Sequence, residues 1–235
     1  MPRSTAVSLL QSTRALGELA TPLPVDELVP GSGPWEVEIG FGKGRYLLRR
    51  AEADRDRRFL GIEIASKYER LMVGRARRRG LDNWLSLRGE ALYLLSAVLP
   101  RGFADVLHVY FPDPWPKARH QKRRLFDPES VDLVLGLLRP GGRLAFATDF
   151  LDYGETVRAL LAAHPAVGLR ELAGGWPEGP RTNYEAKYVE EGRPILRLEG
   201  TVDYPPDRRF PLHPAGEPAV LAATAPAAPD DPRGS

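Results

Sequence analysis

Apolar residues recur along this chain in two alternating rhythms. Short, dense runs occupy 35–39 (Trp-Glu-Val-Glu-Ile), 58–64 (Arg-Phe-Leu-Gly-Ile-Glu-Ile), 84–88 and 104–111. Between them, apolar side chains return every three or four positions. The first rhythm predicts buried strands and the second predicts helices packed on them. One helix carries Tyr46, Leu47 and Leu48. A second opens at Ser66, with Glu69 three residues on in a capping-box spacing, and closes at Gly80. Its expected inner face is Tyr68, Leu71, Met72 and Ala76. A short helix holds Leu92, Leu95 and Val98. Another starts at Asp127-Pro128 and turns Val131, Val134, Leu135 and Leu138 toward the sheet. Pro140-Gly141-Gly142 reads as a turn into a fifth strand, 143–148, followed by a helix over 153–163. Strands and helices alternating through short connections predict an α/β fold with a doubly wound, mostly parallel sheet and helices on both faces. Residues 1–33 show no clear period and read as an N-terminal arm or cap before a domain spanning 34–210. Residues 211–235 are rich in Pro and Ala, lack aromatic residues and read as a disordered tail.

Composition narrows the classes. The 235 residues, 43% hydrophobic, suffice for a sizeable core. No run approaches the ~18–20 apolar residues of a membrane span, and no apolar block follows a charged start, so neither a membrane partner nor a signal peptide is expected. The absence of cysteine removes disulfides and thiolate metal sites and agrees with a cytoplasmic protein. Four scattered histidines offer no ligand spacing, and no metal is expected. The net charge is only +2, yet basic residues cluster at Arg75, Arg77, Arg78 and Arg79, and again at Lys117, Arg119, Lys122, Arg123 and Arg124. Local patches of this kind, more than net charge, attract nucleic acid.

Two loops carry candidate chemistry. Residues 111–124 read Phe-Pro-Asp-Pro-Trp-Pro-Lys-Ala-Arg-His-Gln-Lys-Arg-Arg after the most apolar strand. Three prolines end the ladder and stiffen the loop, which presents Asp113, Trp115 and Lys117 at the sheet edge. A carboxylate beside an aromatic ring, backed by arginines, suits a ligand made of base and phosphate. The second loop, Glu38-Ile-Gly40-Phe-Gly42-Lys-Gly44, follows strand one. Its glycines are one residue tighter than in G-x-G-x-x-G, and Glu38 would repel a pyrophosphate. S-adenosylmethionine, with a sulfonium and an ammonium and no phosphate, fits that acid better. Glu63 ends strand two, where nucleotide folds hold ribose hydroxyls. Glu90 follows strand three, within reach of an adenine amino group or placed as a first-turn helix acid.

In order, Glu38-Ile-Gly-x-Gly-x-Gly, Gly61-Ile-Glu63, Phe111-Pro-Asp-Pro-Trp-Pro-Lys117 with His-x-Lys-Arg-Arg, Ala147-Thr-Asp149 and Thr182-x-x-Glu185 resemble the bacterial tRNA (guanine-N7-)-methyltransferase family over roughly 35–190. The resemblance implies a seven-stranded class I methyltransferase fold, S-adenosylmethionine as cofactor and tRNA as partner. It implies methyl transfer to N7 of guanine 46 in the tRNA variable loop. It assigns Glu38, Gly40, Gly42, Gly44, Glu63 and Glu90 to the cofactor, and Asp113 to catalysis where cofactor and substrate meet. Lys117, Asp149, Thr182, Asn183, Tyr184 and Glu185 are assigned to substrate; Arg119, Lys122, Arg123 and Arg124 are expected on tRNA phosphates. Two positions depart from the family pattern: Glu90 replaces the usual Asp, and Thr182-Asn-Tyr-Glu185 replaces the commoner Thr-Lys-Phe-Glu. Oligomeric state is not legible. Two other readings stay open here, an enzyme of the same fold with another acceptor and a tRNA-binding module with a vestigial pocket.

Overall fold

Every residue of the strand Trp35–Ile39 (β1) is buried, so β1 needs neighbours on both edges and cover on both faces. The computed structural model, which describes residues 22–204, shows both. A seven-stranded sheet runs in the order β3 (Trp84–Arg88), β2 (Arg58–Glu63), β1, β4 (Ala104–Tyr110), β5 (Leu138–Thr148), β7 (Leu196–Val202), β6 (Val167–Glu171). Strands β1 to β5 are parallel, and β7 is antiparallel to both its neighbours. The chain builds outward from β1 to β3, then returns to lay β4 on the other side of β1. The carboxyl ends of β1 and β4 therefore flank a switch point, where α/β sheets hold ligands. The helices are α1 (Val25–Leu28), α2 (Arg45–Ala53), α3 (Ser66–Arg78), α4 (Ala91–Tyr93, widened over Leu94–Val98), α5 (Val131–Leu135), α6 (Leu151–Ala163) and α7 (Asn183–Glu190).

The two sheet faces differ. One is apolar throughout: Val37, Ile39, Leu107, Val109, Leu144, Phe146 and Leu198 form a continuous core with Val134, Leu135, Tyr153, Val157 and Leu161 of α5 and α6. The other has an apolar cluster over β2 and β3, where Phe59 and Trp84 meet Leu47, Leu48, Met72 and Ala76 of α2 and α3, and a smaller one of Tyr46, Tyr110, Ala145, Ala147 and Trp176. Further along, strand register places Glu36 beside Val106, Glu38 beside His108, and Tyr110 beside Ala147, whose other neighbour is Arg197. These are buried polar groups and need partners. Glu36 has three: Arg50 at 2.6 Å, Arg57 at 3.3 Å and His108 at 3.1 Å. Burial alone would raise the Glu36 pKa, but the His108 and Arg50 bonds outweigh it and hold it at about 2. Burial pushes the His108 pKa down, so its ring is neutral. The network then assigns its proton to Nε2, donating to Glu36, while Nδ1 accepts from the Tyr110 hydroxyl at 2.8 Å.

Several local expectations change. The second helix does not use its capping box: Ala65 is the N-cap, with no side-chain bond, and Glu69 is buried. Glu63 has already captured the Ala65 N–H at 2.9 Å, which fixes the approach to the helix. The inner face is accordingly Glu69, Met72, Val73 and Ala76. Asp127 closes a turn by accepting from the N–H groups of Glu129 and Ser130, and the regular helix runs only over Val131–Leu135. Leu138 belongs to β5. Pro140-Gly141-Gly142 is a bulge inside that strand, where pairing to β4 jumps from Ala104–Leu138 to Val106–Arg143. Of the stretch expected as an arm or cap, residues 22–33 carry Leu23, Val25 and Val29 into the main core. Residues 1–21 and the tail expected at 211–235 lie outside the described residues. No helix among the described residues is long and apolar enough to cross a membrane.

Glu36→Gln is expected to cost about 2–3 kcal/mol at pH 7 by chemical denaturation, below the usual loss for a broken buried pair because Arg50 and Arg57 are partly exposed. The folded pKa of about 2 lies below the ordinary 4.5, so this stabilisation is complete above pH 4.5 and fades as pH falls through 2. The wild-type and mutant stability curves should therefore converge in acid. Curves that stay parallel down to pH 2 would show that Glu36 is not the titrating group.

Candidate active site

The loop after β1 folds back over the strand end. Gly40, Gly42 and Gly44 all have positive φ, which L side chains rarely adopt. Two of them differ in what surrounds them. At Gly44 an added Cβ would lie 2.2 Å from the Met72 sulfur, so the loop packs directly on α3. At Gly42 a Cβ would meet nothing within 4 Å, so the backbone there faces open space. The Gly42 N–H donates to Glu63 Oε2 at 2.9 Å, while Oε1 accepts from Ala65. Glu63 thus ties the glycine loop to the end of β2, and each carboxylate oxygen keeps a lone pair for a ligand hydroxyl. Glu90 caps α4 in a similar way, accepting from Leu92 and Tyr93 N–H groups at 3.0 and 2.7 Å.

Glu38 is the exception in this set. It is 2% exposed, and its Oε2 has no hydrogen-bond partner. Burial pushes its pKa up to about 8; the Leu47 N–H opposes that, nearby Glu63 adds to it, and Arg181 opposes it. A buried carboxyl with one orphaned oxygen, under a glycine loop that faces open space, is complementary to a small cation with hydrogens to donate.

Beside it, at the end of β4, the chain turns sharply. Phe111 (φ 52°) and Trp115 (φ 41°) hold left-handed conformations that cost non-glycine residues energy, and strain of this kind gathers at functional sites. The loop is clamped from below. Phe111 N–H donates to Ala147 O at 2.7 Å, and Arg124 Nε donates to Pro114 O at 2.9 Å. Trp115 packs edge-on to His120 and beneath the Arg123 guanidinium at 4.9 Å, so it wedges the loop. Asp113 is exposed and has no partner among the described residues, and neither has Asp149 at the end of β5. Register between β4 and β5 brings these two segments to one edge.

The segment 182–190 forms the facing wall. Thr182 caps α7 by accepting from Glu185 N–H at 3.0 Å. Glu185 is 0% exposed, paired with Arg197 at 2.6 Å and accepting from the Arg181 N–H at 2.8 Å. Thr182 and Glu185 therefore shape the helix start; the group they present outward is Tyr184, 58% exposed. Its ring lies 6.4 Å from Phe111 and 6.1 Å from Tyr188, in an aromatic row. Asn183 accepts from Arg45 at 3.2 Å, joining α7 to the residue after the glycine loop. Lys117, Arg119, Lys122 and Arg123 lie exposed on or beside the 3-10 turn Ala118–Arg123. Arg124, expected with them on phosphate, is 9% exposed, bonded to Pro114 and stacked 4.7 Å over Tyr153; it braces the loop. Sequence reasoning missed Glu36, Tyr46, His108, Tyr110, Trp176 and Arg181, which underlie the site. The available signal was a glutamate at alternate positions of a buried strand and a histidine in the most apolar run.

This sheet order with its reversed last strand, an acidic Gly-x-Gly-x-Gly loop after β1 and an acid ending β2, defines a class I methyltransferase fold. Solved structures agree on the fold. An O-methyltransferase from Thermotoga maritima matches with a TM-score of 0.53 at 14% identity, over 76% of this chain and 62% of that one. An antibiotic-related methyltransferase matches with a TM-score of 0.53 at 18% identity, over 81% and 98%. Residues 32–198 match the family described as "Putative methyltransferase". The tRNA (guanine-N(7)-)-methyltransferase of Nitrosococcus oceani is 39% identical over 169 residues, covering 71% of this chain and 72% of that protein. That of Nocardia farcinica is 42% identical over 179 residues, covering 76% and 65%. The chain belongs to the tRNA (guanine-N(7)-)-methyltransferase family.

Glu38 yields a test independent of turnover. Its folded pKa of about 8 exceeds the ordinary 4.5, so its burial reduces stability progressively as pH rises from 4.5 to 8. Glu38→Gln should make the ligand-free protein more stable at pH 8 and leave it unchanged at pH 4. If Glu38 meets the ammonium of S-adenosylmethionine as a carboxylate, binding at pH 7 releases close to one proton. Calorimetry in two buffers of different ionisation enthalpy measures that release, which Glu38→Gln should abolish.

Proposed function

We propose that the protein transfers the methyl group of S-adenosylmethionine to N7 of a guanine in the variable loop of tRNA. The observation that carries this reading is the unpaired, buried carboxyl of Glu38 under an open glycine loop, with the free carboxyl of Asp113 following the adjacent strand. The orphaned oxygen and the open space over Gly42 fit a zwitterionic, cationic cofactor. Glu63 and Glu90 would hold its ribose and adenine. The names of the relatives support tRNA guanine as the acceptor, and the exposed Lys117, Arg119, Lys122 and Arg123 support a polyanionic partner. Phosphate contacts of this type give affinity and register, while the base is chosen elsewhere.

Bound there, S-adenosylmethionine would supply a sulfonium methyl whose carbon–sulfur bond would break, leaving its electron pair on sulfur, as guanine N7 bonds the carbon and the purine takes up the positive charge. Guanine N7 carries a lone pair and no proton, so the site needs no general base. That agrees with a sheet edge that carries Asp113, Asp149 and the Phe111–Tyr184 ring pair. The protein has two tasks. The first is alignment, which can supply several kcal/mol. Phe111, Tyr184 and Tyr188 form a wall on which a displaced purine stacks, as enzymes acting on bases commonly require. The second is charge: a carboxylate placed before transfer favours the cation that develops on the base. Asp113 and Asp149 also offer acceptors to guanine N1–H and its 2-amino group, a donor pair adenine lacks. The catalytic unit in this reading spans residues 34–210.

The test combines the purified protein, labelled S-adenosylmethionine and an unmodified tRNA transcript, with the product mapped by cleavage at 7-methylguanine. Label at one variable-loop guanine is expected. Label at an adenine, or elsewhere in the RNA, would move the enzyme to another acceptor. Asp113→Ala should lower kcat at least about 100-fold, with cofactor affinity nearly unchanged. Tyr184→Ala should raise KM for tRNA about 10-fold or more, in line with loss of one stacked base.

A further inference from the structure

Arg181 lies just before α7 and takes no part in the proposed chemistry, yet it is held more elaborately than any residue at the site. Its side chain is 10% exposed. The guanidinium stacks 3.8 Å above the Trp176 ring, 5.2 Å from the Tyr46 centroid and 5.8 Å from that of Tyr110. Nε donates to Glu178 at 2.6 Å, and Nη1 donates to the Tyr110 hydroxyl at 2.6 Å. The backbone N–H donates to Glu185, which is itself anchored to Arg197 on β7.

These contacts join three segments. Tyr46 is the second residue of α2, directly after the glycine loop. Tyr110 ends β4, and the strained Phe111 and the Asp113 loop follow it. Arg181 itself leads into the Thr182 cap and the Tyr184 wall. One cation therefore touches the elements that would carry the methyl donor, the central carboxylate and the acceptor base. Burying a cation is costly, and the acid that ion-pairs with it among the described residues, Glu178, is 45% exposed. A planar fork that stacks on an indole while aiming two hydrogen bonds is a property of arginine that lysine lacks.

The geometry points to Arg181 as the positioning residue of this site: it sets the glycine loop, the Asp113 loop and α7 relative to one another and thereby governs kcat, without binding either substrate. The kinetic part rests on the function proposed above; the structural part does not. In-line transfer is sensitive to displacements of about 1 Å, which can cost on the order of 100-fold in rate.

The experiment compares Arg181→Lys, Tyr110→Phe and the double variant with the wild type. It measures kcat, KM for tRNA, cofactor Kd, and amide hydrogen exchange without ligand. Arg181→Lys is expected to lower kcat about 30- to 100-fold while KM and Kd change less than about threefold. Tyr110→Phe should cause a smaller loss, and the double variant should be no worse than Arg181→Lys alone, because the hydroxyl acts through the guanidinium. Exchange should quicken in 111–117 and 182–190 and stay unchanged in β2 and β3. A merely structural staple would lower melting temperature and quicken exchange throughout, with kcat of the folded fraction intact; that result overturns the proposal. So does a loss that falls on Kd or KM alone, or strict additivity in the double variant. If Arg181→Lys does not fold, Tyr110→Phe carries the same kinetic and exchange tests. Local loosening in a protein whose wild type methylates no tRNA would sink the proposed function and leave the positioning role standing.

Discussion

The fold turns on a single constraint: β1 is buried on both faces and carries two glutamates on one of them. A carboxylate taken out of water must be paired, or must hold its proton. This chain does each once. Glu36 is surrounded by Arg50, Arg57 and His108 and stays ionised. Those partners draw α2, the chain entering β2, and β4 onto the same patch, so the pairing of Glu36 also aligns the parts that bracket the ligand site. Glu38, two residues nearer the strand end, has no such partners and is left to hold its proton. The two residues differ in pairing because of their positions along one strand: Glu36 lies within reach of Arg50 and Arg57, and Glu38 lies at the end that leads into the glycine loop.

The same logic extends across the sheet. His108, kept neutral by burial, relays from Glu36 to Tyr110, and Tyr110 relays to Arg181. A chain of hydrogen bonds therefore crosses from Arg50 of α2 to the start of α7. Because Glu36, His108 and Tyr110 are buried, the cost of leaving any of them unsatisfied is high, which makes the arrangement rigid. The strained backbone at Phe111 sits one residue beyond Tyr110. Strain there persists only because both sides are over-determined: the Ala147 bond and aromatic packing on one side, the Arg124 clamp under Pro114 on the other.

Much of this was legible in the sequence, and the failures share a cause. Strands β1 to β4 follow from dense apolar runs, and the loops from glycines that alone tolerate positive φ freely and prolines that fix φ. Expectations failed where a distant partner outbid a local signal. Ser66-x-x-Glu69 has the form of a capping box, yet Glu63 takes the preceding N–H and Glu69 is drawn inside. Arg124 reads like its basic neighbours, yet a carbonyl and a tyrosine ring hold it inward. Glu185 reads as a substrate ligand, yet Arg197, twelve residues on, buries it. β6 gave no usable signal because an edge strand with only Val167 and Leu169 half-buried has little apolar pattern to show. The Glu36–His108–Tyr110–Arg181 chain joins residues some 70 positions apart, and no local rule links them.

The form of the site follows from what it does not have to do. A reaction that removed a proton from its acceptor would require a base with a tuned pKa at the mouth of the pocket. Among the described residues the carboxyl with a raised pKa is Glu38, at the end of β1, while Asp113 is exposed and has no partner. In the proposed reading, charge on the acceptor side would favour a cation and select a base by its hydrogens, and both would depend on placement more than on acidity. Placement in turn depends on how firmly three loops from β1, β4 and the segment before α7 are held together. The structure concentrates its buried polar contacts behind those loops, in the Glu36 cluster and around Arg181, and leaves the carboxylates at the mouth unpaired.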